Sequence, residues 1–177
     1  MLVRPWWQRA LHWALAGAVL AALVTYEGGR LHEAAGYAVL GVSLARIGFG
    51  FAGPRSSRFA TFVRGPRATW SHLLQVLRRE DPRYVNHNPL GAWMVLALLG
   101  MSLGGAASGW LYVTDRYWGE AWAIALHAAL TWPLAPLAVI HVAGVVHGSR
   151  RHRENLVAAM WHGRKRGATT SSAQDQP

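Results

Sequence analysis

The sequence predicts an all-α integral membrane protein, a four-helix transmembrane bundle with both termini in the cytoplasm. Three observations support this fold class. Hydrophobic residues make up 52% of the 177-residue chain and charged residues only 15%, which indicates a membrane protein rather than a soluble domain. Four apolar stretches approach or exceed the ~20 residues that cross a bilayer. Lys and Arg cluster in three segments, which the positive-inside rule places in the cytoplasm.

The first two predicted spans cover about residues 10–27 and 32–53. Trp6 and Trp7 precede the first span and lie between two arginines, as expected of an interfacial anchor. The apolar run that follows has no small-residue cleavage site, so we expect a membrane helix rather than a removed signal peptide. Arg46 interrupts the second apolar run, which ends at a Gly-Pro pair.

A basic linker, predicted over residues 54–88, separates the second span from the third. Its pattern predicts an amphipathic helix around residues 68–79, outside the membrane. Asn88 and Pro89 then provide an N-cap and a first-turn proline, which predicts that the third span begins there and covers about residues 89–113. The many glycines and small residues of this span should let a neighbouring helix or a flat ligand approach closely.

The fourth predicted span covers about residues 121–148. The 29 residues from 121 to 149 contain no Asp, Glu, Lys or Arg, which is more than a single crossing requires. Pro133 and Pro136 each remove a backbone hydrogen bond, so we expect this helix to bend. A further cytosolic helix near the membrane surface is expected after it.

The distribution of positive charge sets the orientation. The N-terminal segment, the linker and the C-terminal segment contain two, seven and six Lys or Arg residues, whereas the other two loops contain Arg30 and Arg116 alone. This asymmetry predicts cytoplasmic termini and explains the net charge of +10 without nucleic-acid binding. Residues 1–166 are expected to form one domain, and residues 167–177 a disordered polar tail.

Four histidines fall into two depth-matched pairs. With this topology His32 and His127 lie near the outer face, and His12 and His141 lie towards the inner face. Each pair offers imidazoles from two helices, as needed to ligate a haem iron from both sides within a bundle. The alternative is that each imidazole simply hydrogen-bonds a neighbouring carbonyl or serine. Because the sequence has no cysteine, any haem must be held by coordination alone.

Other basic side chains are weaker candidates. His147 is the second choice for the inner pair, because it lies six residues after His141 and about 120° off the predicted face. Arg46 follows His32 by 14 residues, so it should lie near the inner pair, where it either binds a haem propionate or snorkels to the membrane boundary. Solvent or lipid headgroups are the expected surroundings of the histidines in basic segments, His72, His87, His152 and His162.

A series of motifs resembles the bacterial cytochrome b-561 and nickel-iron hydrogenase cytochrome b family. In chain order the motifs are Arg9-x-x-His12-Trp13, Leu31-His32-Glu33 with Gly36-Tyr37, Arg46-x-Gly48-Phe49-Gly50-Phe51-x-Gly53-Pro54, Phe62-Val63-Arg64-Gly65-Pro66, His87-Asn88-Pro89-Leu90-Gly91, His127, His141-Val142-Ala143-Gly144 and His152-Arg153-Glu154-Asn155-Leu156. The resemblance implies four transmembrane helices in the bacterial inner membrane, two b-type haems and electron transfer involving quinone. The ligands that it implies are His12, His32, His127 and His141.

The chain departs from the family pattern at one position near the fourth span's first histidine. Family members commonly have an acidic residue directly after that histidine, whereas this chain has Ala128. It also lacks the long additions of many hydrogenase-bound subunits, which favours the small members that stand alone or serve a periplasmic cytochrome c. His87, Arg64 and Arg67 are predicted contacts for haem propionates or quinone. Membrane lipid is an expected partner, and a homodimer stays open.

Three functions follow from these expectations. The first is a diheme electron carrier between the quinone pool and a periplasmic c-type cytochrome or dehydrogenase. The second, known within the resembling family, is a superoxide:quinone oxidoreductase, which requires a positively charged outer approach. The third is a haem-free transporter or metal-permeation protein that uses the same histidines. The sequence therefore leaves open whether the protein is an enzyme.

Overall fold

The computed structural model describes residues 5–78, 89–151 and 153–163. Regular structure in these ranges is helical throughout and includes no strand, which confirms the all-α prediction. His87, His152 and the predicted tail over residues 167–177 lie outside the described residues. The helices are α1 (Trp6–Val24), α2 (Arg30–Ala52), α3 (Phe59–Phe62), α4 (Pro66–Leu77), α5 (Pro89–Tyr112), α6 (Ala121–Thr131), α7 (Leu134–Arg151) and α8 (Leu156–His162), with a 3₁₀ turn at Arg55–Ser57.

Helices α1 and α2 form a pair joined by a tight turn. Helix α1 begins directly after Pro5 and so starts four residues before the predicted span. It ends at Val24 and is capped by Thr25, whose backbone N–H and hydroxyl both donate to the Ala21 carbonyl, at 3.1 and 2.7 Å. Gly28 and Gly29 then adopt φ values of 97° and 91°, which glycine reaches at little cost. The chain thereby reverses and lays α2 along α1.

Three helical segments among the described residues are long and apolar enough to cross a membrane. They are α2, α5 and the combined stretch Ala121–Arg151 formed by α6 and α7. Large apolar side chains on the outside of the helices, including Leu20, Val139 and Ile140, are exposed. Such an uncovered apolar surface is typical of a protein that contacts lipid. That α1 is a fourth span stays a prediction.

The predicted fourth span is interrupted between α6 and α7, next to the prolines. Helix α6 ends at Thr131 and α7 begins at Leu134, so the predicted span 121–148 comprises two helices. Pro133 and Pro136 have no N–H to donate at this point. The Trp132 N–H still donates to the Ala128 carbonyl at 2.9 Å. The helix is thus interrupted at the prolines, and the bend that they predict stays a prediction.

Helix α5 lies at the centre of the fold and packs against α2, α4, α6 and α7. Its small residues allow α6 to approach closely, as the sequence predicted. A Cβ atom added at Gly105 would lie 2.8 Å from Cγ2 of Thr131, and one added at Gly109 would lie 3.0 Å from Cε1 of His127. Side chains larger than hydrogen at these two positions would therefore push α6 away.

The basic linker contains α3 and α4, and the predicted amphipathic helix corresponds to α4, two residues earlier at each end. Helix α4 packs on α5. After α7 the chain turns through Arg153, whose φ is 50°, and enters α8. The Asn155 side chain caps α8 by accepting a hydrogen bond from the Ala158 N–H at 2.8 Å.

Candidate haem-binding sites

The outer histidine pair consists of His32, in the first turn of α2, and His127, in the middle of α6. Their imidazole ring centroids lie 6.1 Å apart, and the ring planes meet at 82°. Both side chains are half-buried. Two elements far apart in the sequence thus bring one imidazole each to the same place.

Hydrogen bonds orient both outer imidazoles. His32 Nδ1 lies 3.1 Å from the Ala22 carbonyl oxygen, and His127 Nδ1 lies 3.0 Å from the Gly105 carbonyl oxygen. A neutral imidazole that donates its Nδ1–H to a carbonyl keeps the Nε2 lone pair for a metal. Ser108 Oγ adds a contact of 3.2 Å to His127 Nδ1. Hydrogen bonding to neighbours and metal ligation, which the sequence offered as alternatives, are therefore compatible on the same ring.

The inner histidine pair consists of His12 on α1 and His141 on α7. Their ring centroids lie 6.3 Å apart, and the ring planes meet at 50°. Trp13 places its ring edge against His12 at a centroid distance of 5.2 Å. His147, the second choice for this pair, is an exposed residue nearer the end of α7. The geometry therefore favours His141.

Both pairs have the separation that a shared metal requires. An imidazole nitrogen lies about 2 Å from a metal that it binds and about 1 Å from its own ring centroid, so two imidazoles on opposite sides of one metal have centroids about 6 Å apart. The described residues contain no group of three or more metal-ligating side chains. A metal held by two imidazoles needs its other positions filled by another donor set, as the four nitrogens of a porphyrin do. The residues present fit haem.

Arg46 contacts α1 one helical turn before His12. Its guanidinium Nη1 donates to the Gln8 carbonyl at 3.5 Å, and Gln8 precedes His12 by one helical turn. The side chain is half-buried and faces a small cleft that Trp7, Gln8 and Phe49 also line. This placement suits the predicted contact with a haem propionate.

The basic residues of the linker and of the C-terminal segment lie less favourably for binding a cofactor. Arg64 and Arg67 are exposed, and the Arg64 carbonyl accepts a hydrogen bond from Trp93 Nε1 at 3.1 Å. His162 is exposed, as expected, but His72 is only 1% exposed. The expectation of solvent or headgroup around His72 was wrong, because this residue lies on a buried face of α4 that the basic composition of the segment conceals.

The comparison with known families decides the class of protein. The family model described as prokaryotic cytochrome b561 matches residues 3–163. The chain belongs to the prokaryotic cytochrome b561 family. This result confirms the resemblance found from the motifs. As a b561-family protein, the chain is a membrane b-type cytochrome that binds haem b and transfers electrons. No curated protein and no solved structure matches it.

Proposed function

We propose that this b561-family protein is a diheme cytochrome of the bacterial inner membrane that carries electrons between the quinone pool and a periplasmic c-type cytochrome or dehydrogenase. It crosses the membrane four times, with α1 as the first span and both termini in the cytoplasm. One observation carries the proposal: two separate histidine pairs have ring-centroid distances of 6.1 and 6.3 Å, which is the separation that two bis-imidazole iron sites require.

The two pairs lie at different depths. His32 Nδ1 contacts the carbonyl of Ala22, and Ala22 follows His12 by ten residues on α1. At a rise of 1.5 Å per residue, the two pairs are therefore about 15 Å apart along α1. Two pairs at different levels along the same helix would give the chain two electron-carrying sites in series across the bilayer.

The side chains of the protein hold and tune these sites. When bound, haem supplies a one-electron couple at its iron. His32 and His127 are aligned by their hydrogen bonds to backbone carbonyls, which also raise their basicity as ligands. His32 with His127, and His12 with His141, would each hold a bound haem iron through two imidazoles, which would leave no position for oxygen. This arrangement favours electron transfer over a terminal oxidase. Arg46 is the proposed partner of a propionate at the inner site.

The outer surface argues against the superoxide:quinone oxidoreductase alternative. Superoxide is an anion, and its capture is favoured by a positive approach. The two outer loops and their flanks carry more exposed acidic residues than exposed arginines. The acidic residues are Glu27, Glu33, Asp115 and Glu120, and the arginines are Arg30 and Arg116. A basic redox protein suits this surface better. The quinone contacts of Arg64, Arg67 and His87, and a homodimer, stay predictions.

The proposal is tested by haem content. A pyridine haemochrome assay on purified protein should give two b haems per chain, and a reduced-minus-oxidised spectrum should show both. His141→Ala should lose the inner haem alone, and His32→Ala the outer haem alone. His147→Ala is the matched control and should keep both. A chain without haem would instead support the transporter alternative, and equal loss of both haems from either single variant would contradict two independent sites.

A further inference from the structure

Two tryptophans connect the C-terminal helix α8 to the inner histidine pair. The rings of Trp161 on α8 and Trp13 on α1 meet edge to face, with centroids 5.7 Å apart and planes at 67°. Trp13 in turn contacts the His12 ring, with planes at 90°. The Arg9 guanidinium donates to the Trp161 carbonyl oxygen. Because Arg9 and Trp13 are four residues apart, one face of α1 makes both contacts with Trp161.

Helix α8 is also fixed to α7, the helix that carries His141. The Ser149 carbonyl accepts the Glu154 N–H at 3.0 Å, and the Ser149 hydroxyl accepts the Leu156 N–H at 3.2 Å. A Cβ atom added at Gly148 would lie 3.3 Å from Cδ1 of Leu156. Thus α8 joins the two helices whose histidines face one another, and it does so at the inner pair alone.

We infer that Trp161 and Trp13 are positioning residues that set the orientation of the His12 imidazole relative to that of His141. The two imidazole planes meet at 50° at the inner pair and at 82° at the outer pair. Ring orientation and surrounding contacts tune the electronic state and the reduction potential of a ligated iron. Removal of the Trp161 ring therefore changes the inner haem and leaves the outer haem unchanged. This inference rests on the proposed function.

The experiment compares Trp161→Ala and Trp161→Phe with Trp118→Ala. Trp118 is a matched control because it is 67% exposed, against 64% for Trp161, and lies in the turn between α5 and α6, where it stacks on Tyr112, outside the helices that carry the inner pair. For Trp161→Ala, electron paramagnetic resonance of the oxidised protein and a redox titration should show a shifted signal and a shifted midpoint potential for one of the two haems. Trp118→Ala should show no such shift. The phenylalanine variant retains a ring and should restore most of the wild-type signal.

Variants that retain a single haem show which haem gives the shifted signal. In the His32→Ala protein, which retains the inner haem, Trp161→Ala should shift the remaining low-spin signal and midpoint potential; in His141→Ala it should shift neither. If Trp161→Ala keeps two haems with wild-type signals, the positioning role is wrong while the diheme proposal stands. If the wild-type chain binds no haem, the proposed function itself fails.

A second inference rests on a different surface, the exposed face of α4. Trp70 is 63% exposed and Leu74 38% exposed, one turn apart. Exposed Arg67 in α4 and exposed Arg78 directly after it continue this face, three residues before Trp70 and four after Leu74. Residues 54–78 contain five arginines, all exposed, and no Asp or Glu. An apolar centre between two cations on a helix is the pattern of an interfacial helix on an anionic membrane.

We propose that this face of α4 lies on the membrane surface, with Trp70 and Leu74 at the acyl boundary and Arg67 and Arg78 on the phosphates of anionic lipids. The occupant is a lipid because α4 is joined through the linker to α2, is packed on α5, and both of those helices are candidate membrane spans. For Arg67 this assignment is an alternative to the predicted contact with a haem propionate or quinone.

The absence of cysteine from the sequence allows a clean test. A bimane label on Leu74→Cys, in full-length protein reconstituted into vesicles containing phosphatidylglycerol, should be quenched by lipids that carry a nitroxide near the headgroup. The same label on Gln75→Cys, on the adjacent exposed face, should be quenched much less. Phosphatidylcholine vesicles, or Arg67→Gln with Arg78→Gln, should reduce quenching at position 74. Equal quenching at both positions, or no dependence on lipid charge, would overturn the assignment.

Discussion

Substitution of Gly109 by alanine should disturb the outer site selectively. The added Cβ would lie 3.0 Å from Cε1 and 3.3 Å from Nδ1 of His127. Carbon atoms normally pack at about 3.5–4.0 Å, so the imidazole must move by roughly 0.5 Å or more. Metal–ligand distances tolerate only about 0.2 Å. The added methyl group would therefore displace the His127 imidazole from the position in which it can bind a metal.

The expected magnitude follows from the cost of overpacking. Forcing an extra methyl group into a packed site costs about 1–3 kcal/mol, and about 1.4 kcal/mol corresponds to a factor of ten in an equilibrium constant. The equilibrium constant for binding of the outer haem should therefore fall by about one to two orders of magnitude, while binding of the inner haem is unchanged. The assay measures haem per chain during dilution into apomyoglobin, with electron paramagnetic resonance to identify the haem that leaves.

Gly100→Ala provides the matched control. Gly100 lies on the same helix, and a Cβ added there meets no atom within 4 Å. Both changes alter helix propensity equally, so only the contact with His127 differs between them. If the two variants retain both haems equally well, the close approach of α5 to His127 has no role in holding the outer site.

Two further substitutions test the inner site and the C-terminal helix. Arg46→Gln should weaken retention of the inner haem by about one to two orders of magnitude, because a charge-assisted hydrogen bond contributes about 1.5–3 kcal/mol. An unchanged rate of inner-haem loss, compared with exposed Arg55→Gln, would favour a snorkelling role for Arg46. Asn155→Ala removes the cap of α8 and should lower the local stability of α8 by about 1 kcal/mol. Hydrogen exchange of the α8 amides measures this loss, and protection equal to that of the wild type would show that the cap is dispensable.

Much of the fold was predictable because membrane insertion leaves a strong pattern in the sequence. The long charge-free run predicted the fourth span, since lipid excludes charge. Pro133 and Pro136 predicted a bend, and the structure has an interruption of the helix there, since proline cannot donate a backbone hydrogen bond. The start of α1 was less predictable. Trp6 and Arg9 are not residues of an apolar run, although both belong to the helix that follows Pro5.

The histidine pairs were predictable from depth and helix face together. Antiparallel spans place residues at fixed levels in the bilayer, and the helical period separates His141 from His147. The contacts of α8 and α4 were not. The bond from Arg9 to the Trp161 carbonyl joins residues 152 positions apart, and no periodicity encodes such a contact. His72 shows the same limit, because a basic amphipathic segment does not reveal which of its faces packs on a neighbouring helix.

The identity of the ligand pairs is tested most directly by double variants assayed for haem per chain with pyridine haemochrome. His32→Ala combined with His127→Ala removes both members of one pair and should leave one haem. His32→Ala combined with His141→Ala removes one member from each pair and should leave none. A haem that survives in the second variant, or the loss of both haems from the first, would contradict the assignment of His32 with His127 and of His12 with His141.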